Sequence, residues 1–349
     1  MRRLLVAATV SALVAMIMNV GSVGASAAGR NSATTRAVTG RPNVALNCHL
    51  WAVVNSDGSL ARTGCAGTTS NASAGGGFDV VFTNKVRGCV YIATIGTSAD
   101  SGIAVPGYVE VVGAVGDPDG VFVDTFDSSG TVTAEGFHLS VDCSKATSPA
   151  CDTWAVVNSD GSLARSGCPG VAAGGSGGGY DVLFTKNVSA CAFQATIGSS
   201  ADSGSVPAGF VTVVGESSFA DGVYVQTFDS AGAQTAEGFH LLVTCGQPQA
   251  PACDTWAVVK SGSSLARSGC VGATSSHAGE SGTYYVVFTT DIVDCAYEAT
   301  LGLAAHAGQA PPGFVTVVGA GESPDGVYVE TFNAAGKRAN EGFHLTVAC

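Results

Sequence analysis

Residues 151–168 read Cys-Asp-Thr-Trp-Ala-Val-Val-Asn-Ser-Asp-Gly-Ser-Leu-Ala-Arg-Ser-Gly-Cys. Two short runs, Trp154–Val157 and Ser162–Ser166, flank Asn158-Ser159-Asp160-Gly161. Polar residues and a glycine at such a point close a β-hairpin. With those four residues as the loop, Cys151 falls opposite Cys168 and Trp154 opposite Arg165. A two-residue Asp-Gly turn would shift the register by two. A related stretch has Lys260-Ser261-Gly262-Ser263 in that place, so Asp-Gly is not obligatory and the longer loop is favoured.

The hairpin occurs three times. Trp51-Ala52-Val53-Val54 recurs at Trp154–Val157 and Trp256–Val259, and Ser59–Arg62 recurs at Ser162–Arg165 and Ser264–Arg267. Glu135-Gly136-Phe137-His138-Leu139 recurs at Glu237–Leu241 and Glu341–Leu345. The copies span 48–143, 151–245 and 253–349, joined by linkers 144–150 and 246–252 that hold Pro149, Pro248 and Pro251. Solenoid repeats are far shorter, so each copy is expected to be a domain. Beads on a string is the simpler arrangement. Packing round a pseudo-threefold axis, like a trimeric fibre head, is the alternative.

Each copy has four cysteines: Cys48, Cys65, Cys89 and Cys143; Cys151, Cys168, Cys191 and Cys245; Cys253, Cys270, Cys295 and Cys349. An even set per copy in an exported chain reads as two disulfides, and no pair has the CxxC spacing of a zinc site. Cys191, Phe193, Ala195 and Ile197 alternate along one strand face, as do Phe239, Leu241, Val243 and Cys245. First-to-second and third-to-fourth pairing is therefore expected. Seven strands fit each copy, near 152–158, 162–167, 179–185, 191–198, 209–215, 222–229 and 236–244 in the second. No long segment has helical periodicity. The expected fold is all-β: three tandem disulfide-stabilised β-sandwich domains, immunoglobulin-like, or small β-barrels.

Residues 1–27 resemble a signal peptide: Arg2 and Arg3, an apolar run from Leu4 to Met18, and Ala25-Ser26-Ala27 before the expected cleavage. Residues 28–47 are expected to form a disordered leader. Charged residues make up 12% of the chain, with Lys plus Arg 15 against Asp plus Glu 27, a net charge of −12. Such a chain is a poor polyanion binder, so nucleic acid is not an expected partner. No second apolar run is long enough to span a membrane. The expected location is secreted and extracellular.

Candidate binding residues are the hairpin pairs Trp51 and Arg62, Trp154 and Arg165, and Trp256 and Arg267. A guanidinium over an indole is a cation–π contact, either a hairpin staple or an exposed platform for a sugar ring. His138, His240 and His344 point away from the Phe-Leu-Val core stripe, towards solvent or a domain contact. Glu135, Glu237 and Glu341 lie three residues earlier, but a strand puts residues three apart on opposite faces, so no dyad follows. Asp119, Asp221 and Asp325 precede glycines and read as turn residues, although Asp119, Asp124 and Asp127 together offer carboxylates to calcium. His277 and His306 occur only in the third copy. No catalytic residue, cofactor or metal site is assigned, because no phosphate loop, GxSxG or HExxH motif is present.

The WAVVxSxxSLARxGC opening and EGFHLxVxC ending resemble repeats of uncharacterised secreted bacterial β proteins. The resemblance spans nearly all of the mature chain and implies no activity or site. The expected function is that of a secreted multivalent binding or structural, adhesive protein, with a cell-wall or carbohydrate surface as candidate partner. A secreted hydrolase with a surface cleft is one alternative. A protease inhibitor presenting the loop Pro169–Gly179 is the other.

Overall fold

The computed structural model describes residues 48–73, 76–143, 151–246, 254–321 and 323–349. The expected signal peptide 1–27, the expected leader 28–47, both expected linkers except Gly246, and Cys253 lie outside these residues. The described residues form twenty-four strands and no helix, so none contains a helix long and apolar enough to cross a membrane.

In the first copy the strands are β1 (Leu50–Val54), β2 (Leu60–Thr63), β3 (Thr69–Ala72), β4 (Gly77–Val81), β5 (Val90–Ile95), β6 (Gly107–Gly113), β7 (Gly120–Asp127) and β8 (Phe137–Asp142). The second copy has β9 (Trp154–Val157), β10 (Leu163–Ser166), β11 (Ala172–Ser176), β12 (Gly179–Leu183), β13 (Ala192–Gly198), β14 (Gly209–Gly215), β15 (Gly222–Asp229) and β16 (Phe239–Thr244). The third has β17 (Trp256–Val259), β18 (Leu265–Ser268), β19 (Thr274–His277), β20 (Thr283–Val287), β21 (Ala296–Leu301), β22 (Gly313–Ala320), β23 (Ser323–Asn333) and β24 (Phe343–Ala348).

Every copy builds two four-stranded layers, in the first copy β2-β1-β8-β5 and β3-β4-β7-β6. Ala52, Val54, Tyr91 and Leu139 from one layer meet Phe78, Val80, Val121 and Val123 from the other in a buried core. Fully burying a Val, Leu or Phe side chain is worth roughly 1.5–3 kcal/mol, so these alternating stripes drive the layers together. The eighth strand, β3 and its counterparts β11 and β19, is absent from the seven expected. The Ala172–Ser176 stretch within the expected inhibitor loop is this strand, paired along its length with β12. Its Ala-Ala-Gly-Gly-Ser sequence carries no apolar alternation, because an edge strand can be held by backbone pairing alone.

Among the described residues, five disulfides join Cys48 to Cys65, Cys89 to Cys143, Cys151 to Cys168, Cys191 to Cys245 and Cys295 to Cys349. First-to-second pairing in the first two copies, expected from the hairpin, and third-to-fourth pairing in all three, expected from the alternation, are both present; the pairing expected of Cys253 lies outside the described residues. In the entropy model, loops of 17 and 54 residues each contribute about 3–4 kcal/mol.

The hairpin register differs from the expected one. Asn158 N–H donates to Ser162 O and Gly161 N–H to Asn158 O, leaving a three-residue loop with Gly161 at φ +83°. A bulge follows, and Arg165 faces Val156 instead of Trp154. A type I turn closed by a left-handed residue is the usual form of such a three-residue loop, and the bulge farther along β10 sets the Arg165 register.

The beads-on-a-string arrangement is not what forms. The described residues make one compact unit. β13 runs parallel to β6, pairing Ile197 with Glu110 and Gly198 with Val111. Gly96 bridges Val317 and Gly302 bridges Val213 in the same parallel sense. The first copy thus meets the third, the third the second and the second the first, which closes a pseudo-threefold ring. On its axis Tyr108, Phe210 and Phe314 form a triangle of rings with centroids 4.8–4.9 Å apart. Phe126, Phe228 and Phe332 complete this plug.

Candidate functional site

The strands β5, β13 and β21 are edges of their own layers. At an unprotected edge, every second residue leaves its N–H and C=O unpaired. Side chains of the neighbouring copy take up these groups. Beside β5, Arg165 Nε donates to Cys89 O at 3.1 Å, Tyr91 N–H donates to His240 Nδ1 at 2.9 Å, and Ala93 N–H donates to Thr196 Oγ1 at 2.9 Å. The Thr196 hydroxyl then donates to Ala93 O at 3.1 Å. Arg267, His344 and Thr300 do the same along β13, at Cys191, Phe193 and Ala195. Arg62, His138 and Thr94 do so along β21, at Cys295, Tyr297 and Ala299. An Arg–His–Thr row therefore stands where a further strand would lie.

Each row also clasps one aromatic ring. The Tyr91 ring lies 4.9 Å from the His240 ring and 5.8 Å from the Arg165 guanidinium carbon. Tyr297 is held by His138 and Arg62, and Phe193 by His344 and Arg267. The guanidiniums also donate through Nη1 to Ser98 O, Ser200 O and Ala304 O in their own copies, each at 2.7 Å. The cation–π contacts expected of these arginines are real, but their partners are aromatics of the neighbouring copy. The hairpin tryptophans are not those partners.

These placements correct the sequence expectations. His138, His240 and His344 are 0% exposed; of the two expected settings, solvent or a domain contact, they take the contact between copies. Each Nδ1 accepts a backbone N–H, so the proton is on Nε2, which faces Thr97 O, Ser199 O or Leu303 O. Burial pushes all three imidazoles down to about 3. Trp51, Trp154 and Trp256 are buried and offer no exposed platform. Trp154 packs with Val90, Ile92 and Val156 across the seam. Glu135 is not a partner of His138.

The turn carboxylates serve the backbone. Asp127 Oδ1 accepts the N–H groups of Ser129 and Thr131. The carbonyls of Asp119, Asp221 and Asp325 accept from Phe82, Phe184 and Phe288. Among the described residues no group of three His, Cys, Asp or Glu is placed to hold a metal ion. His277 rests against Tyr284, ring centroids 5.1 Å apart. His306 lies against Gly215, where Asp100 and Asp202 lie against Gly319 and Gly113 at the other two seams.

Surface grooves form where the loop after one copy's edge strand overhangs the outer face of the next copy's second layer. Ser101 and Gly102 overhang Tyr285 and Tyr328 in an open groove of about 740 Å³. Ala307 and Gly308 overhang Asp181, Glu216 and Tyr224 in a smaller one of about 180 Å³. Burial and the adjacent Glu216 carboxylate raise the Asp181 carboxyl above its ordinary range. Sequence reading missed both grooves, because each joins residues of two copies. The available signal was divergence: Asp79, Asp181 and Tyr285 occupy equivalent positions, as do Phe122, Tyr224 and Tyr328. Comparison with family models, characterised proteins and solved structures finds no match to this chain.

Proposed function

We propose that the protein is exported and acts outside the cell as a binding or structural, adhesive protein, not as an enzyme. One observation carries this reading. The recurring Arg and His side chains, the best candidates for chemistry, hold the three copies together, and the recurring Trp side chains are buried. The signal-like segment 1–27 and the disulfides support an oxidising location. The ring remains multivalent in form, with one sheet face from each copy, but the faces differ in chemistry. That divergence favours a rigid scaffold with distinct contact surfaces over avidity from three identical sites.

The test is retention by the immobilised, oxidised chain of cell walls, polysaccharides or secreted proteins. Specific retention of one class, with the material chemically unaltered, is the expected result. The neighbouring Asp181 and Glu216 carboxyls give the hydrolase alternative its one favourable observation. Product release that vanishes in Asp181→Asn would overturn the binding reading.

A further inference from the structure

The groove between the first and third copies has a chemistry that its counterpart lacks. Tyr285 and Tyr328 face each other across β20 and β23, with ring centroids 5.3 Å apart and planes inclined at 54°. Tyr285 is 39% exposed. Ser276 stands opposite Tyr285 on the far side, so a hydroxyl continues the row. Ser101, from the first copy, and Ser323 add hydroxyls at the walls, while Gly102 in the overhanging loop leaves room. Among the described lining residues there is no carboxylate or basic side chain. The counterpart groove has Asp181 and Glu216, and the chain as a whole carries −12.

We propose that this seam groove binds an uncharged glycan chain, with Tyr285 and Tyr328 as its stacking platform; the assignment rests on the binding function proposed above. A pyranose ring presents an apolar C–H face and a rim of hydroxyls. Tyrosine offers the matching combination of apolar ring and polar tip at low conformational-entropy cost. The tilted pair cradles one sugar face against Tyr285 and the next residue against Tyr328. The serine hydroxyls accept and donate to the sugar rim. An open groove lets a polymer enter and leave at both ends. The cation near Tyr328, Arg338, is already paired with Glu280 and Glu330, and with no basic side chain among the described lining residues the acidic surroundings disfavour anionic polysaccharides, which selects neutral chains. The site exists only at this seam, since the equivalent pairs are Asp79 with Phe122 and Asp181 with Tyr224.

The experiment is affinity electrophoresis of the oxidised full chain through gels containing soluble β-1,4-glucan, β-1,3-glucan, galactomannan or, as the charged control, polygalacturonate. At least one neutral polymer is expected to retard the chain, and polygalacturonate is not. Tyr285→Ala, at an exposed position, should weaken that retardation roughly tenfold or more, the scale of a hot-spot truncation. Tyr285→Phe keeps the stack but loses the polar tip, so its retardation should fall between those of Tyr285→Ala and the parent, whereas Tyr224→Ala lies at the other groove and should be retarded like the parent. Far-ultraviolet dichroism confirms that each variant is folded. Retardation that survives Tyr285→Ala overturns the site while leaving the binding function standing. No retardation by any neutral polymer overturns the glycan assignment. Retention of a protein in the broader test would then keep the binding function, whereas failure of both assays would remove it.

Discussion

At the residue scale, the three seam histidines work only while neutral. An imidazolium would turn its Nδ1–H against the amide N–H of Tyr91, Phe193 or Tyr297. Their ordinary value of 6.5 is pushed down to about 3 by burial, with Arg62, Arg165 or Arg267 adding repulsion. Between those values the unfolded chain binds protons that the folded chain does not. Their contribution to stability is full above pH 6.5 and is lost as pH falls. Two buried carboxyls act in the opposite direction. Burial pushes Glu110 up to about 10, with Asp124 and Glu237 adding repulsion, and pushes Glu298 up to about 8. Their contribution is full below 4.5 and is lost as pH rises. Burial also raises the carboxyls of Asp124, Glu135, Asp152, Asp181, Glu237, Glu330 and Glu341, so below pH 6.5 the two sets oppose each other, and above it only the carboxyls act. The thermal midpoint should therefore fall as pH rises from about 6.5, and Glu110→Gln should flatten that fall. A midpoint still climbing at about pH 9 would contradict these assignments.

At the scale of single elements, the hairpin turn and the edge strand each make a separable prediction. Ser263 occupies the left-handed turn position that is glycine in the other copies, at φ +65°, and is the one non-glycine residue with positive φ among those described. Ser263→Gly should raise stability by about 0.5–1 kcal/mol in denaturant titration; a loss would show that the hydroxyl outweighs the backbone strain. At the edge, Thr196→Val leaves the Ala93 N–H and C=O buried without partners and should lower stability by about 1–3 kcal/mol. Gly198→Ala should be worse, roughly 3 kcal/mol or failure to fold, because its Cβ would stand 2.5 Å from Val111 O. If both variants were as stable as the parent, the seam bonds would not hold the ring. The hairpins, the core stripes and the cysteine pairing were legible because alternation and spacing report them directly. Strand β11 was not, since Ala-Ala-Gly-Gly-Ser has no side chain that marks a buried face. The histidines left solvent and a domain contact both open for a related reason. Alternation says only that they face away from their own core, and the cover on that face comes from another copy. Trp-Ala-Val-Val carried the missing signal: it is apolar on both faces, as a strand covered on both sides must be.

At the scale of the whole molecule, three copies that look like separate domains in sequence become one body. Their edges are finished by their neighbours, and Tyr108, Phe210 and Phe314 plug the axis. Taking one copy away would expose Trp154, Val156 and His240, all 0% exposed in the ring. It would also leave the backbone groups of one edge strand without partners. Unfolding with the disulfides intact should accordingly be a single cooperative transition; three separable transitions would mean that the seams are weak. Ring closure is the claim on which the burial of the His and Trp side chains and the existence of the grooves depend. Small-angle X-ray scattering of oxidised residues 48–349 tests it most directly. A closed ring should give a radius of gyration of about 19 Å, the value for a compact body of this length, whereas roughly 28 Å, expected for three such units in line, would contradict it.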